Sequence, residues 1–178
     1  MMRLKKFNEE VFFAEDSPVK VSREDIDFLK EHMARSGRAR VRLCAHPDAQ
    51  DVLHEMFIVL KKDGYVRPHK HLTKIESFLI LSGLVDAVLL DEIGTVTEVI
   101  RMGDYSSGLR FFYRMSRPAY HTFLIRSDFL VFKEVCNGPF EKSDTAFASW
   151  APAESDSAAG RDYLLKVEMA AALSLKKK

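Results

Sequence analysis

A chain of 178 residues, 47% hydrophobic and 30% charged, can bury the core of one compact domain and has little length for a second. Its 27 basic and 26 acidic side chains leave a formal charge of +1, so no strong field draws it to nucleic acid or an anionic membrane. No run approaches the ~20 apolar residues of a membrane span, and Asn8, Glu9 and Glu10 interrupt the basic start where a leader would be apolar, so a cytoplasmic location is expected.

Val11 to Ala14 is a short apolar segment with the character of an edge strand. Ser22 is placed to cap a helix from about Arg23 to Arg35, with Ile26, Leu29 and Met33 at helical spacing and Gly37 closing it. Ala39 to Ala45 alternates charged and apolar residues at the period of a half-buried strand. Further strands are expected at Met56 to Leu60, Glu76 to Leu81, Leu84 to Leu90, Val96 to Arg101, His121 to Ile125 and Phe129 to Val135, with turns between most of them. A last helix is expected from about Arg161 to Leu173, and Lys176 to Lys178 read as a solvated tail. Many short strands punctuated by turns argue for a β-sandwich or barrel rather than βαβ units. The organisation expected is one structural domain: residues 1–38 as a strand and helix packed on the barrel, 39–140 as the barrel, and 141–178 as a C-terminal cover and tail. Cys44 and Cys136 lie far apart and form no CxxC, which suits reduced thiols.

The chemistry concentrates in Gly64-Tyr-Val-Arg-Pro-His69-Lys-His71-Leu-Thr-Lys-Ile-Glu76, with Gly83 beyond. Residues i and i+2 of a strand share a face, so His69 and His71 can present two imidazoles together while Lys70 points away. Glu76 can return from the adjoining strand across a short turn. Two imidazole nitrogens and a carboxylate on one interior surface make most of a site for a divalent transition metal, with Fe, Mn, Zn, Ni and Co all open. The fourth ligand expected is His121, which opens a later strand after Arg117-Pro118-Ala119-Tyr120.

This spacing resembles the first motif of the cupin superfamily, a glycine, HxH, a glutamate and a second glycine. From His69 to Gly83 the match is complete, although Gly64 lies one residue closer to His69 than the pattern has it. The second motif is looser: a long excursion separates Gly103 from Pro118, and no asparagine follows His121 at the family's spacing. YVRPHKH, ESF with LxG, Tyr113-Arg114, PxxHT, FKEVCNGPF and FASWAPAE together resemble the WbuC family of cupin-fold metalloproteins, from about Arg40 to Tyr163. The resemblance implies a mainly β cupin barrel (a double-stranded β-helix or jelly roll), a metal site and a setting in bacterial surface-polysaccharide or O-antigen metabolism. It supplies no substrate.

Around this nucleus Arg42, Arg67 and Tyr120 are candidates to contact a substrate, and Tyr65 and Tyr113 to carry protons. Tyr65 and Arg67 share the strand parity of the two histidines. His46 can support the ligands from the barrel mouth, His54 reads as a surface residue ahead of a strand, and His32 as a solvated helix residue. One of Lys133 and Glu134 must face inward, and Trp150 reads as a hydrophobic plug. The functions this supports are an isomerase or epimerase of a sugar or sugar nucleotide, an Fe(II)-dependent dioxygenase of a small molecule, or a metal-stabilised sugar-binding or regulatory cupin without turnover. A homodimer is expected, since barrels of this kind pair through edge strands.

Overall fold

The computed structural model describes residues 1–176; Lys177 and Lys178 of the expected tail lie outside them. The elements run β1 (Leu4–Lys6), β2 (Val11–Ala14), α1 (Arg23–Ser36), β3 (Arg40–Cys44), β4 (Leu53–Lys61), β5 (His69–His71), β6 (Glu76–Ser82), β7 (Leu84–Leu90), β8 (Val96–Gly103), β9 (Phe112–Met115), β10 (Tyr120–Ile125), β11 (Phe129–Asn137), β12 (Thr145–Phe147) and α2 (Ser157–Leu175). One sheet has the order β1-β2-β3-β4-β11-β6-β9 and the other β12-β5-β10-β7-β8. From β4 to β7 and again from β8 to β12 each strand crosses to the other sheet, and the two sheets pack face to face as a jelly roll. This is a mainly β, two-sheet jelly-roll barrel with a helix on each outer side.

The core follows from strand alternation. Met56, Ile58 and Leu60 of β4 meet Phe78 and Ile80 of β6, Phe123 and Ile125 of β10 and Phe132 of β11 between the sheets. The opposite parity packs outward. Val41, Leu43, Val59 and Val131 pack under Leu29 and Met33 of α1, while Val88, Leu90 and Leu124 pack under Val167 and Ala171 of α2. Each central strand therefore buries both faces, which is why its alternation is blurred in the sequence.

Ser22 caps α1 through Asp25, whose Oδ2 accepts from Ser22 N and Ser22 Oγ, each at 2.7 Å. Asp25 Oδ1 also accepts from Met2 N at 3.0 Å, tying the N-terminal residues to the helix. Gly83 turns the chain from one sheet to the other at φ 96°, and a Cβ there would lie 2.4 Å from Phe129 O.

Three expectations change. β2 is not an edge strand: β1 covers one side of it and β3 pairs with the other, in parallel. The long excursion from Gly103 to Pro118, where no strand is expected, contains Phe112–Met115, which adds β9 to the open side of β6. His32 is not solvated. It packs edge-on against Phe12 at 4.9 Å and its Nε2 meets Glu9 O at 3.0 Å.

Candidate metal centre

His69 and His71 sit alone on β5, whose three residues are held between β10 and β12. The register sets His121 of β10 opposite His69 and Thr145 of β12 opposite His71. Glu76 opens β6 in the facing sheet, opposite Cys136. The four side chains meet in the barrel interior. The His69 and His121 rings lie 4.5 Å apart, His69 and His71 5.3 Å apart, and Glu76 reaches two of the three rings. Its Oε2 lies 3.4 Å from His71 Nε2 and its Oε1 3.3 Å from His121 Nε2. Glu76 and His121 are almost wholly buried.

The imidazoles are oriented through their other nitrogens. His69 Nδ1 donates to Arg67 O at 2.9 Å and His121 Nδ1 to Ala119 O at 3.1 Å. A carbonyl can only accept, so the proton sits on Nδ1 and the Nε2 lone pair is left free. His71 Nδ1 lies 3.2 Å from Thr145 Oγ1 and 3.6 Å from Asp144 Oδ2. Asp144 is itself fixed by Thr73, whose N and Oγ1 donate to Oδ1 at 2.8 and 2.5 Å. Neither Asp144 nor Thr145 carries a sequence signal; the chain brings them back by way of β12.

Burial and charge set the electrostatics. Glu76 is pushed up to about 8 by burial, reinforced by the Glu134 carboxylate. His71 is pushed down to about 4, and His121 well below the ordinary imidazole value, by burial first and then by the neighbouring His69 ring. Oε1 of Glu76 is buried without a hydrogen-bond partner. A cation would compensate all of these costs at once. Two donors each about 2.1 Å from one ion lie ~3.0 Å apart at a right angle and ~3.4 Å apart at the tetrahedral angle. The spacings of Glu76 from His71 and His121 fall in that interval. Among the described residues no group of three or more His, Cys, Asp and Glu already stands at full ligating geometry, so the fit lies in this pairwise spacing and in the orientation of the rings.

The cluster opens on a cavity of about 340 Å³. Arg42 lines it, with Arg40 one residue pair along the same face of β3. Glu134 lines it from β11, while Lys133 points outward to Glu55 at 2.5 Å. His54, read as a surface residue, is buried and lines the cavity, on the same face of β4 as Met56 and Ile58. His46 lies behind it, stacked flat on His54 with centroids 4.1 Å apart.

The other nominated residues lie elsewhere. β5 is too short to carry the histidines' parity back to Tyr65, so Val66 lines the cavity instead. Tyr65 faces α2, with its ring closing on Gly160 and its hydroxyl donating to Pro152 O, just ahead of that helix, at 3.0 Å. Arg67 braces the β12 side, donating to Ala148 O at 2.7 Å beneath the Phe147 ring. Tyr120, next to inward His121, faces outward onto Trp150 and under Lys70. Tyr113 does lie inside, stacked on Phe78, its hydroxyl buried and unpartnered beside Glu76 and Glu134.

Residues 21–102 match a family described as a domain of unknown function, DUF6016. No curated protein matches the chain. Among solved structures it is similar to protein SO0799 from Shewanella oneidensis, at 12% identity over 55% of this chain and 63% of that one, TM-score 0.46. It is similar to oxalate decarboxylase from Bacillus subtilis at 17% identity over 55% of this chain and 24% of that one, TM-score 0.42. The capsular polysaccharide assembling protein CapF from Staphylococcus aureus aligns at 22% identity over 55% of this chain and 27% of that one, TM-score 0.45. The chain thus spans 63% of the first of these proteins and about a quarter of the other two. No helix among the described residues is long and apolar enough to cross a membrane.

Proposed function

We propose that this protein is a metal-dependent cupin enzyme that moves a proton on a small sugar or sugar derivative, with His69, His71, Glu76 and His121 holding one divalent transition metal. The observation that carries the reading is Glu76, a buried carboxylate set between two imidazoles whose Nδ1 atoms are already engaged, so that its oxygens and their Nε2 atoms face one another. A bound ion would supply Lewis-acid chemistry at a carbonyl or hydroxyl oxygen. The chain's own residues supply the rest. Glu134 presents a carboxylate to the cavity with no hydrogen-bond partner among the described residues, and burial raises it above the usual carboxylate range, which favours its taking up and returning a proton. Tyr113 stands beside it as a hydroxyl donor. The aromatic and aliphatic side chains of the inner walls keep bulk water from the far end of the cavity. Proton transfer of this kind supports an isomerase or epimerase, and the WbuC resemblance supports a substrate from surface-polysaccharide metabolism.

Protein purified without a chelating column should carry close to one equivalent of transition metal, and His71→Ala should lose it. With metal-loaded protein and a panel of sugars in deuterated water, a substrate carbon should exchange its proton. Glu134→Gln should slow that exchange by roughly 10²-fold or more while metal content is kept. Less than a tenth of an equivalent of metal in the wild type would remove the metal reading. Unchanged exchange in Glu134→Gln would remove the proton-transfer reading.

A further inference from the structure

The cavity wall opposite the histidines is cationic in an unusual way. Arg40 and Arg42 share the inward face of β3 with Cys44, while Val41 and Leu43 between them pack under α1. Arg42 is half-buried with its Nε wholly out of solvent, yet among the described residues it forms no ion pair. Its one polar contact is Nη1 to the Met56 sulfur at 3.9 Å, and its Nε has no partner. Arg40 has only distant carboxylates, Glu10 at 3.8 Å and Glu154 at 3.7 Å, and its Nε is likewise buried and unpartnered. A guanidinium is always charged, and burying one without an anion is costly enough that such groups are normally paired. Lys74 and Lys142 line the same cavity, so four basic side chains face the carboxylates of Glu76, Glu134 and Glu154. A cation held by Glu76 would deepen the positive excess.

We infer that Arg42, supported by Arg40, is the clasp for an oxyanion group, a carboxylate or a phosphate, on the small molecule this cavity binds. The planar guanidinium presents paired N–H donors that match such groups in a bidentate fashion. The strand register gives the scale. Met56, which the Arg42 side chain reaches, stands opposite Glu134 across β4 and β11, and Glu134 stands opposite Phe78, two residues along β6 from Glu76. From strand spacing and rise, the clasp and the histidine cluster are on the order of 10 Å apart. One charged monosaccharide spans most of that length, and the 340 Å³ cavity is in the range for such a ligand. The clasp deepens the enzyme reading by naming the substrate class; the anion site itself rests on the arginines and not on the metal.

Calorimetric titration of the full chain with glucose, glucuronate and glucose 1-phosphate tests it. At least one anion should bind tenfold or more tightly than glucose, and the two anions separate a carboxylate site from a phosphate site. Arg42→Met, similar in length and apolar, should erase that preference, and Arg42→Lys should keep part of it. Because no carboxylate among the described residues stands within ion-pair distance of Arg42, the leading opposite charge being Glu134 across the cavity, Arg42→Met should melt at the same temperature as wild type or higher without ligand, whereas a structural arginine would melt lower on replacement. Equal affinity for glucose, no binding of either anion, a preference that survives Arg42→Met, or a lowered melting temperature would each overturn the inference. Repeating the titrations on the metal-free His71→Ala variant separates the two readings: a preference that persists there upholds the clasp even if the metal site fails.

Discussion

The two ends of the barrel interior are built by the same strands on opposite terms. At the closed end Phe78, Phe123 and Phe132 pack at ring distances of 5.5–5.8 Å, with Ile80, Val85 and Met102 beside them. No polar demand is left open there. At the open end Glu76 Oε1, His54 Nε2, Tyr113 Oη and the Nε atoms of Arg40 and Arg42 are all buried without partners, and Asp144 Oδ2 joins them behind His71. Such atoms are scarce in native proteins and mark places where something besides the chain completes the bonding. One end supplies stability; the other spends part of it on readiness to bind.

Substitutions at the two ends should therefore separate stability from binding. The largest effect belongs to the closed end. Phe132→Ala should lower unfolding stability by about 3–5 kcal/mol in denaturant titrations, with the loss the same in metal-free and metal-loaded protein. A loss that appeared only with metal present would contradict the division. At the open end Asp144→Asn should barely move the stability of the metal-free protein. It should weaken metal binding by about 10–100-fold, because Asp144 steadies His71 from behind. Competition with a metal indicator dye measures this directly, and an unchanged affinity would assign Asp144 to the Thr73 turn alone.

The smallest effect is a pH dependence of the metal-free protein. Glu76 is held up to about 8, against an ordinary 4.5, so folding favours its protonated form. The stabilisation this carries is complete below the unfolded value and is lost as pH rises through the folded one. The imidazoles of His69, His71 and His121 are depressed, and their effect is confined to pH below 6.5. Between pH 6.5 and 8.5 the carboxyl acts without them, and metal-free protein should lose roughly 1–2 kcal/mol. Glu134 shifts the same way, so Glu76→Gln should flatten much of the fall without abolishing it. An equally steep fall in Glu76→Gln would place the titration elsewhere.

How far the sequence could be read depended on whether the information was local. The helices, most strands and the clustering of His69, His71, Glu76 and His121 were legible, because they follow from the two-residue period of strands and from short turns. The inward place of Glu134 and the buried place of His54 were open to the same parity reasoning, once β4 and β11 were given their inner faces. Tyr65 shows where it stops. Four residues before His69 it has the right parity, but the strand ends at His69 and the chain turns to meet α2 at Gly160. β1, β9 and β12 were missed because three- or four-residue strands leave too few alternations to show a period.

By itself, then, the sequence determined that one β-barrel forms and that two imidazoles, a carboxylate and a later imidazole can share an interior face. Covalent spacing and backbone alternation act within a strand and need no partner. Only the tertiary structure decided which face of β3 looks inward, and so that Arg40 and Arg42 line a cavity while Val41 and Leu43 pack under α1. Only it set Asp144 and Thr145 behind His71, since residues far apart in the chain meet through the packing of two sheets and not through any local rule.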